Sequence, residues 1–167
     1  MSTPVGITPK TASEIQANLK QLETSAHALN KLSDQLTKKV AEIEDTINRL
    51  NLGVTADVRI ESWANEDGTS SSVWRLAYGK ESGKWGFVIE YLSENLNLGP
   101  DAESYESWPF KDSPREQRIR AVEKIPMLLE ALVKKSNEVA EEISRKVSYT
   151  ESLAATLLIA KPESTKK

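Results

Sequence analysis

Residues 15–50 read IQANLKQLETSAHALNKLSDQLTKKVAEIEDTINRL. Core positions recur in alternating steps of four and three: Ile15, Leu19, Leu22, Ala26, Leu29, Ser33, Leu36, Val40, Ile43, Ile47 and Leu50, with Ser33 the one polar member. A repeat of 3.5 residues keeps one stripe of a helix turned toward a partner, which is what a left-handed coiled coil requires. Thr11 and Glu14 have capping-box spacing ahead of the run, and Gly53 is placed to stop it. A long N-terminal coiled-coil helix is therefore expected over residues 11–52. At a rise of 1.5 Å per residue it would form a rod about 60 Å long. The preceding residues 1–10, with two prolines and a glycine, are expected to form a disordered tail.

Beyond Gly53 the period changes from 3.6 to 2. Val54, Ala56, Val58 and Ile60 alternate with Thr55, Asp57, Arg59 and Glu61, the pattern of a half-buried strand. After the polar loop NEDGTSSS (65–72), a second strand places Trp74, Leu76 and Tyr78 on one face. A short turn over Gly79–Gly83 leads to a third strand, with Trp85, Phe87, Ile89 and Tyr91 on one face. This is a three-stranded antiparallel β-meander. Residues 93–113 are expected to be irregular, because Pro100 and Pro109 break any helix. Residues 53–113 thus form meander and loop.

A second helical arm is expected over 114–160, followed by a disordered tail, 161–167. Ser113-Pro114-Arg115-Glu116 combines a serine cap, a first-turn proline and a capping-box glutamate, and Pro126 introduces a kink. This arm carries its own seam at 122, 125, 129, 132, 136, 139, 143, 146, 150, 153 and 157. Folded back on the first helix, the two seams match in length. Leu36 then faces Ser136, Ser33 faces Val139, Lys146 faces Ala26 and Thr150 faces Leu22, so no layer pairs two polar groups. The fold class is α+β: a long antiparallel coiled-coil helical hairpin with an inserted β-meander, forming one structural domain.

Charge is distributed unevenly within a net of −3. Residues 53–113 carry five basic and eleven acidic side chains, whereas 114–167 carry eleven basic and eight acidic. An acidic middle argues against nucleic-acid binding there, since phosphate affinity rests on Lys and Arg. With no cysteine and a single histidine, His27, thiol chemistry and Cys/His zinc sites have no members to assemble from. No catalytic, cofactor or metal residues are nominated, and a non-enzymatic protein is expected. The N-terminus MSTPVGITPK lacks a signal-peptide pattern, and no apolar run approaches the roughly 18 residues of a membrane span, so a cytoplasmic location off the membrane is expected.

Two surfaces are candidates for partners. Val133, Ala140, Val147 and Ala154 recur at seven-residue intervals beside the second seam, with Leu128 and Tyr149 on the other flank. A stripe wider than a and d wants a further helix, which points to self-association as a homodimer, two hairpins forming a four-helix bundle. The second candidate surface comprises Trp63, Trp108, Arg115, Arg118, Arg120 and Lys124. A tryptophan in a loop marks a hot spot if exposed and core if covered. A basic helix start can hold an anion or lie as a solvated face.

The stretches AYGKESGKWGF (77–87) and SPREQRIRAVEKIPMLLEALV (113–133) resemble segments of uncharacterised bacterial proteins with a helix–meander–helix plan and no assigned activity. The layout alone is similar to that of prefoldin chaperone subunits. The function expected is a protein–protein interaction module of coiled-coil type. A prefoldin-like holdase and a nucleic-acid-associated protein using residues 115–124 are the alternatives.

Overall fold

The computed structural model describes residues 9–95 and 103–159, so the expected C-terminal tail and most of the N-terminal one lie outside the described residues. The chain divides after Ile43 into two compact units. Helix α1, Pro9–Asn48, provides the described part of the first unit, and its last turns belong to the second. It is already helical at Pro9, two residues before the expected Thr11 cap. The helix stops before Asn51, earlier than expected. The Leu50 and Asn51 N–H groups close tight turns on the carbonyls of Ile47 and Asn48 at 2.9 and 3.1 Å. Asn51 then takes a left-handed φ of 48°, which asparagine tolerates better than most residues.

The second unit is built on an antiparallel sheet of four strands, not three: β1 (Ala56–Ala64), β2 (Ser70–Glu81), β3 (Lys84–Asn95) and β4 (Ser104–Pro109), in the order β1-β2-β3-β4. The fourth lies within the stretch expected to be irregular. The β2–β3 connection is tighter than expected, a two-residue turn at Ser82-Gly83 with φ of 49° and 83°. Both values are left-handed, as a type I′ hairpin requires.

Register sets the two faces. Across the sheet Val58, Leu76, Ile89 and Trp108 align, beside the row Ala56, Tyr78 and Phe87. Leu76, Tyr78, Phe87 and Ile89 are buried, and Tyr78 stacks on Trp85 with ring centroids 5.5 Å apart. The aromatic residues assigned to one face do share it. A register shift between Arg59 and Glu61 interrupts the expected alternation of β1. The extra residue turns Glu61 onto the face it was expected to avoid, opposite Trp74.

Helices α2 (Arg115–Val122) and α3 (Ile125–Ile159) cover this face. Phe110–Asp112 form a single 3₁₀ turn before them, and Phe110 is buried. Ser113 does not cap α2; its hydroxyl donates to the Phe110 carbonyl at 2.8 Å. The break foreseen at Pro126 falls at Glu123-Lys124, which leaves the proline in the first turn of α3. Ile125, Leu128 and Leu132 are buried and complete the core with Ala121. Gln117 Nε2 donates to Glu61 Oε1 at 2.8 Å, and Arg120 pairs with the other oxygen of the same carboxylate.

Candidate functional site

The self-association stripe on α3 is largely free. Val133 is 62% exposed, Val147 51% and Tyr149 67%, and Ala140 and Ala154 are exposed as well. Leu128 is the exception. It is fully buried against the sheet, because the first turns of α3 pack on the strands before the helix extends past them. Seam residues farther along, Ile143, Leu153 and Leu157, are exposed too. A shallow groove of about 500 Å³ runs along this part of α3, lined by Val139, Ile143, Val147 and Ala154 with Lys146 and Glu151 at its margin. On α1, taken by itself, Ile15, Leu19, Leu22, Leu29 and Ile43 are exposed along the seam.

The second candidate surface does not come together as one site. Trp63 is 59% exposed near the end of β1. Trp108 is half-buried and stacks on Trp74 at 5.8 Å, so it belongs to the aromatic face. Arg120 is held by Glu61 and Glu116. Arg115 and Arg118 are half-buried and engaged, and Lys124 is half-buried. The basic start of the second arm is thus used within the fold. His27 is an exposed residue of α1. Among the described residues, no three His, Cys, Asp or Glu side chains converge as metal ligands would. Nor is any helix long and apolar enough to cross a membrane there.

A further, polar joint lies where the end of α1 meets the β2–β3 hairpin. Strand β4 ends at Pro109, opposite Val88, so Phe87 meets no strand on that side. The Glu44 carboxylate takes its place and accepts the Phe87 N–H at 2.7 Å. One turn on, Asn48 accepts from the Tyr78 hydroxyl at 2.7 Å and donates to the Trp85 carbonyl at 3.2 Å. Gly86 leaves the room this needs, since a Cβ there would lie 2.7–2.8 Å from the carboxylate. Burial pushes the Glu44 carboxyl above its ordinary value, with the Phe87 bond and the neighbouring Asp45 as smaller influences. A cleft of about 470 Å³ opens beside the joint, lined by Glu44, Asn48, Tyr78, Lys84 and Trp85. The joint could have been suspected only from Gly86 between two bulky aromatics and from two polar residues one turn apart near a seam.

No family model matches this sequence, and no curated protein or solved structure matches it either.

Proposed function

We propose that the chain is a non-enzymatic, oligomeric protein–protein interaction module of coiled-coil type, working without a cofactor in the cytoplasm. Its two helical arms pair through their seams as an antiparallel hairpin, with Leu36 facing Ser136. The stripe Val133, Ala140, Val147 and Ala154 then takes a second copy. The observation that carries this reading is the exposure of that stripe on a helix whose first turns are anchored in a core. Contiguous apolar surface of this kind usually marks an interface. A twofold dimer lets one patch cover itself.

Cysteines introduced by Leu36→Cys and Ser136→Cys test the hairpin, since a disulfide needs Cα atoms within about 7 Å. Oxidation is expected to link them within one chain, and links found only between chains would reject the intramolecular pairing. A prefoldin-like holdase is the second reading, favoured by the exposed Leu19, Leu22, Leu29 and Leu32 along α1. Suppression of client aggregation would separate it from a simple assembly module. The nucleic-acid reading lacks comparable support, because Arg120 is committed to Glu61 and Glu116.

A further inference from the structure

The stripe on α3 alternates in size as well as repeating in place. Val133, Ala140, Val147 and Ala154 run large, small, large, small over about 30 Å of helix. All four are exposed, Val133 at 62% and Val147 at 51%, so the whole stripe is open to a partner. A polar flank follows the same repeat. Asn137 and Glu151 each stand four residues after a valine of the stripe and three before an alanine, which puts both on one side of it. Both are exposed. The start of the same helix is committed elsewhere, with Leu128 and Leu132 buried in the core.

Two copies of a helix related by a twofold axis can run parallel or antiparallel. In a parallel pair each residue meets its own copy. Valine then faces valine and alanine faces alanine, so the spacing set by the valine layers leaves gaps at the alanine layers, and gaps forfeit contacts. Glu151 would also stand against Glu151 of the partner subunit, a like-charge pair. An antiparallel pair with its axis midway between Ala140 and Val147 meets neither objection. Ala140 lies level with the partner's Val147, and Val133 with the partner's Ala154. Every layer then joins one large and one small side chain, which packs facing helices at even spacing. Any other antiparallel register sets valine on valine or leaves part of the stripe unused. On the flank, Asn137 lies within one residue's rise of the partner's Glu151, so its amide can donate to that carboxylate.

We propose that the second copy binds α3 antiparallel and in this register. The proposal rests on the reading that the α3 stripe holds a second copy, and it adds which way that copy runs and which residues it meets. Antiparallel pairing also sets the two anchored cores at opposite ends of the contact, whereas a parallel pair would bring both to the same end. Leu132, the last buried residue of α3, lies level with the partner's Ala155, and α3 ends at Ile159. The stretch the two chains share, Val133 to Ala154, is therefore the part of the helix beyond the core.

Cysteine crosslinking reads the direction, because the chain has no cysteine of its own. Ala140→Cys and Val147→Cys are made as separate full-length chains with tags of different mass. Each is oxidised alone, and then in an equal mixture combined under reducing conditions. In the mixture a disulfide between positions 140 and 147 is expected to form at least tenfold faster than any link in either variant alone. Alone, like positions lie about 10 Å apart along the helix, and a disulfide needs Cα atoms within about 7 Å. If Ala140→Cys links to itself as fast as it links to Val147→Cys, or if no link forms between 140 and 147, the register is overturned. Light scattering of the reduced variants separates that failure from loss of the dimer. The mass of two chains with only like-to-like links refutes the direction and leaves the α3 dimer standing, whereas the mass of one chain refutes both.

Discussion

At the scale of single residues, Glu44 shows that a close hydrogen bond and a favourable charge are different things. Its carboxylate satisfies the Phe87 N–H, yet it is half-buried, and burial pushes its carboxyl above the ordinary value. Glu44→Ala leaves a strand N–H without its acceptor, an expected cost of about 1–3 kcal/mol in denaturant unfolding. Glu44→Gln keeps an oxygen acceptor and removes the charge, so it is expected to cost much less at neutral pH. A carboxyl whose folded value is raised keeps its proton to higher pH than in the unfolded chain. Its stabilising contribution is therefore full below the ordinary value of 4.5 and is lost as pH rises through the folded value. Melting curves of the wild type and Glu44→Gln should accordingly favour the wild type progressively more as the solution is acidified through that window. A difference independent of pH would contradict the raised value. Gly86→Ala pushes against the same carboxylate and displaces it from Phe87. Its cost should shrink in the Glu44→Ala background, by about 0.5 kcal/mol or more in a double-mutant cycle.

At the scale of elements, legibility followed the strength of the repeating pattern. The period-3.6 runs located α1 and α3, and the period-2 runs located β1, β2 and β3 with their inward aromatics, because each pattern repeats over many residues. Strand β4 was missed because the two large apolar side chains of SYESWP, Tyr105 and Trp108, are three residues apart on opposite faces and show no period-2 alternation, and pairing with β3 supplies the rest. The shift between Arg59 and Glu61 was invisible because a bulge changes no residue type; it only decides which way the following side chains turn. On α3 the sequence showed an apolar stripe but not where the core ends along it. Leu128→Ala should therefore cost about 2–5 kcal/mol, the range for a buried leucine, while Val133→Ala, measured where the chain is dilute enough to be single, should stay within about 0.5 kcal/mol. Equal losses at the two positions would mean that the division between anchored and free parts of α3 is misplaced. The turn supports a similar contrast. Gly83→Ala puts a Cβ on a residue with φ of 83° and should destabilise the hairpin by about 1–2 kcal/mol, whereas Gly79, with an ordinary φ, should tolerate alanine better.

At the scale of the whole molecule, the candidate partner surfaces were legible in part. The seven-residue spacing of Val133, Ala140, Val147 and Ala154 is a property of sequence alone, and their exposure is the structural fact that turns it into a candidate interface. The basic segment 115–124 read more readily as a solvated face than as a patch, and the structure adds that its Arg120 pairs with Glu61 and Glu116. The central claim is that α3 holds a second copy through its exposed stripe. Light scattering of the purified chain at tens of micromolar tests it most directly, with Val133→Glu and Val147→Glu introduced together as the comparison. The account predicts the mass of two chains for the wild type and of one for the variant, since the interface would then bury glutamates with no partner. A wild type that scatters as one chain, or a doubly substituted chain that remains a dimer, would contradict it.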